Sequence, residues 1–462
     1  MKRVLAACAA ATLIALAGCG SGSGAAGNVD PATIAPPGAL AFASFDMAPQ
    51  GPERADFDAA FEKLLGAAPE ATLGAAFTKA TQTSGKLDYL ADVRPWLGGS
   101  VSLVVTRVAS HDCDFALLAA STDDEKAQAA IDKDLAGVHT ETRSYRDVPY
   151  KVQDDGTANG IVEHFLVAGT ERAFRSVVDA AKDGKSLADS EQWKATVGDR
   201  GDGKVGLAYV DLKGLLQSFA ANLPGAQRVA VPLLLGLADL HPFVATLDAQ
   251  PDRLVVDVSS PGTEPDARGP GAASSPLIES LPADAWLALA VPDVGQTLGT
   301  VVGALKSSPL IAAQYGRVAD AIRARTGLDL SKDILTLGDV GFYARGKTAT
   351  LVAEAQQGTL ERLRTFVQTR ANHRLTVTAP VRADETLGDT PLFRKAAVAI
   401  GQRPTLFVDF GPALEVAAAS PHHRDDAHFA RALPRLRHIE YIAAGARRDG
   451  GLDVARGVIG LR

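Results

Sequence analysis

The stretch Leu87-Asp88-Tyr89-Leu90-Ala91-Asp92-Val93-Arg94-Pro95-Trp96-Leu97-Gly98-Gly99 returns later as Leu328-Asp329-Leu330-Ser331-Lys332-Asp333, with Leu337-Gly338 answering Leu97-Gly98. The two aspartates of each copy stand one helical turn apart. Ahead of an apolar strand-like run, such a pair reads as a helix start, where carboxylates accept N–H groups that have no partner of their own. A carboxylate pair for acid–base chemistry is the competing reading. Recurrence in both copies favours the structural one.

Outward from this pair, other landmarks repeat in the same order. Pro36-Pro37-Gly38-Ala39 is matched by Leu281-Pro282-Ala283-Asp284-Ala285 at an offset of 246, and Asp88 by Asp329 at 241. Leu187-Ala188-Asp189-Ser190 with Trp193 is matched by Leu387-Gly388-Asp389-Thr390 with Phe393 at 200. Tyr209-Val210-Asp211 and Phe407-Val408-Asp409 are separated by 198, an offset kept by the closing hairpins that begin near Phe243 and Tyr441. The offset only falls along the chain, as deletions in the loops of a duplicated domain would make it. A period near 200 residues is a domain duplication and not a solenoid.

Each copy mixes alternating apolar strands with segments of helical spacing. In the first, Leu40–Phe45 reads as a strand, and Phe57, Phe61, Leu64 and Leu65 as a helix face. Thr122-Asp123-Asp124-Glu125 opens another helix, and His139–Val152 with Ile161–Ala168 reads as a strand pair around Asp155-Gly156 and Asn159-Gly160. The expectation is an α+β protein of two tandem duplicated domains. Each has a mostly antiparallel sheet packed with helices, with room for parallel pairs at strand–helix–strand steps. The domains are expected at 36–260 and 281–462, with a Pro-, Gly-, Ala- and Ser-rich linker at 261–280.

The N-terminus has a signal-peptide layout: Lys2 and Arg3, the apolar run Val4–Ala17, then small residues and a cysteine. That run has 14 residues, fewer than the roughly 20 of a spanning helix. Leu16-Ala17-Gly18-Cys19 resembles the lipobox of bacterial lipoproteins. The resemblance implies removal of residues 1–18, a diacylglycerol on the Cys19 sulfur and an acyl chain on its new N-terminus. Two or three chains anchor stably where one binds only marginally. Residues 19–35, beginning with a Gly/Ser tract, then read as a flexible tether.

The same residues that mark the repeat resemble the bacterial domain-of-unknown-function 3352 family. The likeness lies in Leu-Asp-x3-Asp with Trp-Leu-Gly, in Arg146-Asp147-Val148-Pro149-Tyr150, in Val167-Ala168-Gly169-Thr170 and in Gly184-Lys185-Ser186-Leu187-Ala188-Asp189. It covers nearly the whole mature chain. In the second copy Trp96 is replaced near Thr336 and Leu337, and the Gly-Thr segment has no counterpart. The resemblance transfers no catalytic residue.

Hydrophobic residues make up 46% and charged residues 22%, the composition of a folded globular protein. With Cys8 in the signal and Cys19 lipidated, only Cys113 remains, so no internal disulfide forms; Cys113 itself reads as a small buried or inert thiol. Net charge is −7, unevenly spread: residues 19–280 carry 22 Lys and Arg against 36 Asp and Glu, residues 281–462 carry 23 against 18. The split reads first as compositional drift between two solvated surfaces; the sharper readings are mutual docking of the halves, or a basic half facing anionic envelope polymers or lipid head groups. Without a concentrated basic patch, an exported chain is a poor nucleic-acid binder.

Other constellations favour structure over chemistry. His422, His423 and His428 sit in one short polar segment, but their spacing is not the i, i+4 of a helical metal pair. Gly198-Asp199-Arg200-Gly201-Asp202-Gly203-Lys204 lacks the hydroxyl residue of a phosphate loop and leads into a strand. No Gly-x-Ser-x-Gly elbow follows a strand. Trp96, Trp193 and Trp286 read as core anchors. No catalytic, cofactor or metal residue is assigned. The expectation is a membrane-anchored lipoprotein that binds, scaffolds or assembles an envelope protein or polymer. A solute-binding lipoprotein of an uptake system is the alternative, and a hydrolase ranks third.

Overall fold

The computed structural model describes residues 29–47, 52–66, 87–109, 112–220, 240–262, 274–306, 309–368, 375–380, 384–420, 426–449 and 451–462. The chain divides into two compact units, Met1–Pro261 and Gly262–Arg462.

The first unit opens on a 3-10 turn, Pro31–Thr33, capped by Asp30, whose Oδ1 accepts the Ala32 N–H at 2.9 Å. Strand β1 (Ala41–Asp46) and helix α1 (Pro52–Leu65) follow, then a single π turn, Tyr89–Val93. Strands β2 (Leu97–Val108) and β3 (Cys113–Ser121) lead to helix α2 (Asp124–Asp134). A meander comes next: β4 (Thr140–Tyr145), β5 (Val148–Gln153), β6 (Thr157–Val162) and β7 (Phe165–Thr170). Helices α3 (Glu171–Asp183) and α4 (Glu191–Thr196), strand β8 (Gly206–Val210), helix α5 (Leu212–Ala220) and the hairpin β9 (Phe243–Gln250), β10 (Arg253–Pro261) complete it.

These strands form one antiparallel sheet in the order β10-β9-β8-β1-β2-β3-β7-β6-β5-β4. Alternate residues face alternate sides. Phe42, Val104, Leu118 and Val167 pack under α3, which buries Phe174, Val177 and Val178 between an N-cap at Thr170 and a left-handed Gly184. Trp96 and Ala119 pack with the π turn and with Ala127 and Ala130 of α2. Gly160 lies so close to the Phe174 ring that a Cβ would stand 3.0 Å from it.

The second unit begins with a short helix α6 (Leu277–Ser280), strand β11 (Leu287–Val291) and helices α7 (Val294–Lys306) and α8 (Pro309–Thr326). A second π turn, Leu330–Ile334, precedes β12 (Val340–Arg345), β13 (Thr348–Ala353), α9 (Gln357–Gln368) and β14 (Leu375–Thr378). Then come α10 (Pro391–Ile400), β15 (Leu406–Asp409), α11 (Phe410–Ala418), α12 (Ala427–Leu436), β16 (Ile439–Asp449) and β17 (Leu452–Leu461). The sheet order is β14-β13-β12-β11-β15-β16-β17, antiparallel except for the parallel pair β13–β14 across α9. The fold class is thus α+β, with a mostly antiparallel, mixed strand arrangement.

The same local bonds recur in both units. The Leu187 N–H reaches the Ala35 carbonyl at 2.7 Å, and the Leu387 N–H reaches that of Leu281 at 2.7 Å. The Asp211 N–H meets the Leu40 carbonyl at 2.9 Å, and the Asp409 N–H that of Trp286 at 2.9 Å. The Trp193–Tyr209 and Phe393–Phe407 ring pairs are both 5.3 Å apart.

Three expectations are corrected. The tether does not extend to residue 35, because Ala32, Ile34 and Ala35 are buried against the 187–188 loop. The linker does not extend to 280, because Ser275, Leu277 and Ile278 are buried and α6 packs there. The strand pair of residues 139–168 is a four-stranded meander, and Asn159-Gly160 lies inside β6 rather than in a turn. Its outer turns are Arg146-Asp147 and Glu163-His164, all at positive φ of 44–66°. Such turns favour Asn and Gly, so these side chains concealed them.

Candidate functional site

The lipobox residues Leu16, Ala17 and Gly18 and the lipid-attachment residue Cys19 lie outside the described residues, as do His422 and His423. His428 sits exposed in the first turn of α12, its Nδ1 3.3 Å from Arg431 Nη2. Among the described residues no group of three His, Cys, Asp or Glu side chains is placed to hold a metal. Cys113 opens β3, half-buried. Gly198–Gly201 is a 3-10 turn ahead of β8. No described helix is long and apolar enough to cross a membrane.

The paired aspartates form reciprocal caps. Asp88 Oδ1 accepts the Ala91 N–H at 2.8 Å while Asp92 Oδ2 accepts the Asp88 N–H at 2.7 Å. Asp329 Oδ1 accepts the Ser331 and Lys332 N–H groups, both at 2.9 Å, while Asp333 Oδ2 accepts the Asp329 N–H at 2.8 Å. This is a capping box. It spans four residues instead of three, and the turn it closes is a π turn, with the Arg94 N–H bonding Tyr89 and that of Leu335 bonding Leu330. In each unit the second aspartate also reaches the helix after the third strand. Asp92 binds Lys133 Nζ of α2 at 2.6 Å. Asp333 binds the Thr359 hydroxyl at 2.8 Å and the Arg362 guanidinium of α9 in a two-pronged contact, one prong at 3.0 Å. Burial pushes the Asp333 carboxyl up, but Arg362, the Asp329 N–H and Thr359 outweigh it and hold it at about 2. Lys133 likewise holds Asp92 below the usual range.

A second polar cluster, which no spacing in the sequence announced, joins α3 to the meander. Glu171 accepts from Arg143 at 2.8 Å, Tyr150 at 2.9 Å and Arg175 at 2.6 Å. Burial raises the Glu171 carboxyl, and these three donors together lower it below its ordinary value. Each oxygen is thus committed within the protein, which makes the cluster a brace between elements.

The second unit also holds an apolar groove of about 490 Å³, within the roughly 300–1,000 Å³ of small-molecule sites. Phe410, Leu414 and Ala417 of α11 form one wall, Phe429 and Leu436 of α12 another, and Trp286 an end. Ser420 is the polar exception. Trp96 and Trp193 are buried as read from sequence, whereas Trp286 is half-buried at this groove, its indole N–H bonded to the Gly346 carbonyl at 3.1 Å. The i, i+4, i+7 spacing of Phe410, Leu414 and Ala417 was the available signal, but it announces only an apolar face. Asp409 caps α11 through the Gly411 N–H at 3.3 Å, and burial raises its carboxyl.

No curated protein matches the chain. Among solved structures it is similar to TP0453: crystal form III has 12% identity and a TM-score of 0.29, covering 50% of this chain and 80% of that one. Crystal form I has 11% identity and a TM-score of 0.29, covering 53% and 83%. Residues 4–370 match the family described as protein of unknown function DUF3352, and the chain belongs to that family.

Proposed function

We propose that this protein is an exported lipoprotein, cleaved before Cys19 and held by lipid on that cysteine, whose two units arose by tandem duplication. Its work at the outer face of the membrane is binding or scaffolding of an envelope protein or polymer. The observation that carries the anchor is Leu16-Ala17-Gly18-Cys19 behind a basic start and a 14-residue apolar run. Duplication is supported by shared strand pairing and by the twice-built Asp-x3-Asp cap. The non-catalytic reading is supported by the carboxylates that recur in both units, whose bonds go to caps and to neighbouring helices.

Cys19→Ser is expected to move the protein from the membrane fraction to the soluble fraction, and retention on membranes would contradict lipid anchoring. Cross-linking in intact cells is expected to enrich an envelope partner over a control lipoprotein; no enrichment would remove the scaffold reading. A second reading, a solute-binding lipoprotein, draws on the groove between α11 and α12. A thermal-shift screen with small solutes, silent across a broad panel, would count against it.

A further inference from the structure

We propose that strand β4 is a self-association edge: two copies of the chain join β4 to β4, antiparallel, about a two-fold axis through Thr142. This goes beyond the proposed binding role and does not rest on the lipid anchor. β4 ends the first unit's sheet, and among the described residues only β5 pairs with it. Glu141, Thr142 and Ser144 are exposed along it. Its ladder runs without a bulge from the pair Thr140 and Gln153 to the pair Tyr145 and Val148. Bulges, prolines and lysines, which keep sheet edges from pairing, are thus absent from β4. The charges it does carry, Glu141 and Arg143, are of opposite sign. In the second unit the end strand β14 has four residues, and its Val377 carbonyl accepts from Arg364 at 3.0 Å.

The hairpin turn fixes which backbone groups face outward. Arg146 and Asp147, both at positive φ, form a two-residue turn, so the flanking Tyr145 and Val148 exchange backbone bonds. Bonded and non-bonded pairs alternate along an antiparallel ladder, so the backbone groups of Arg143 and Glu141 also turn inward to β5. Pro149, which has no N–H to give, falls in the non-bonded pair opposite Ser144. Thr140, Thr142 and Ser144 therefore aim their N–H and C=O groups out of the sheet. With Thr142 opposite Thr142 of the second copy, and Thr140 opposite Ser144 on either side, about six backbone bonds form. In that register Glu141 of each copy faces Arg143 of the other, and hydroxyl side chains face one another at the remaining pairs. Both are favourable cross-strand combinations. The two-fold registers one step to either side set Glu141 against Glu141, or Arg143 against Arg143, and like charges directly opposite are destabilising. Charge thus selects a copy of this same strand, in one register. Within the chain Arg143 donates to Glu141 at 2.5 Å and to Glu171 at 2.8 Å, while the second Glu141 oxygen has no bond among the described residues. Helix α3 packs over β3, β6 and β7, inward of this edge.

The test is disulfide cross-linking of the full-length chain in fresh lysates of the producing cells, with copper phenanthroline as oxidant. Across a bonded antiparallel pair the Cα atoms lie about 5.5 Å apart, within disulfide reach. Thr142→Cys is therefore expected to give a covalent dimer several-fold above the parent chain, whose own Cys113 sets the background. Ser144→Cys keeps both charges but faces Thr140 of the second copy, so it should stay at background. In the Thr142→Cys chain, Glu141→Arg or Arg143→Glu should each weaken dimerisation about tenfold. Co-expressing those two chains should restore the dimer, since every charged residue then meets its opposite. Restoration separates a lost interface from a misfolded chain. No dimer from Thr142→Cys, an equal yield from Ser144→Cys, indifference to the charge changes, or no recovery in the mixture would overturn the proposal. So would a Thr142→Cys adduct with a different protein in place of the dimer. Each of these failures would leave the Cys19 fractionation and envelope cross-linking results standing.

Discussion

The two aspartate caps are the same device in different surroundings. In the first unit Trp96 follows the cap and donates its indole N–H to the Asp92 carbonyl at 2.7 Å. Asp92 stays at the rim, 15% exposed, and meets a lysine that is 52% exposed. In the second unit Thr336 takes the place of Trp96, its hydroxyl bonding the Lys332 carbonyl at 2.8 Å. Asp333 is 2% exposed, with Thr359 and Arg362 over it. One local motif serves in one unit as a surface clasp and in the other as a buried pin. The spacing of the aspartates sets the turn, and the residue beyond it sets how deep the carboxylate goes.

This contrast can be broken at Asp333 first. Asp333→Ala leaves Arg362, Thr359 and the Asp329 N–H without their acceptor. Arg362 is half-exposed and can turn to water, so the cost is that of lost charge-assisted hydrogen bonds, about 1.5–3 kcal/mol, read as a lowered urea midpoint. Asp92→Ala should cost clearly less; equal losses would dissolve the distinction between clasp and pin.

The ring pairs offer the next test. Phe393→Trp imitates the first unit, and overpacking beside Phe407 should destabilise by about 1–3 kcal/mol. A neutral or stabilising result would mean the two sites have the same volume.

The third test is pH. Asp333 is held at about 2 when folded, against about 3.9 for an unfolded aspartate. A lowered folded value means its stabilisation is complete above pH 4 and drains away as pH falls toward 2. Asp333→Asn should flatten the acid limb of the stability curve over that window, and an unchanged limb would refute the assignment. Lys133→Arg should have the smallest effect. It keeps the charge at an exposed site, so the urea midpoint should hardly move.

What was legible in the sequence was local or periodic. The caps were, because carboxylate spacing alone dictates which N–H groups they meet. The α+β class with mostly antiparallel strands was, because short alternating apolar runs and segments of helical spacing follow one another along the chain. The tether and linker ends were misread because Pro31–Ala35 and Ser275–Ile278 share the small-residue composition of flexible chain while packing as core. The groove was not legible, since it depends on how α11 and α12 stand over Trp286. The brace on Glu171 was hidden for the same reason, its donors coming from three separate elements.

The central claim is that Cys19 becomes the lipidated first residue. Mass measurement of the N-terminal peptide, from protein purified out of the producing cell's membranes, tests it directly. The expected result is a peptide that begins at Cys19 and carries diacylglycerol on the thioether. A peptide retaining Gly18 or earlier residues, or an unmodified Cys19, would contradict it.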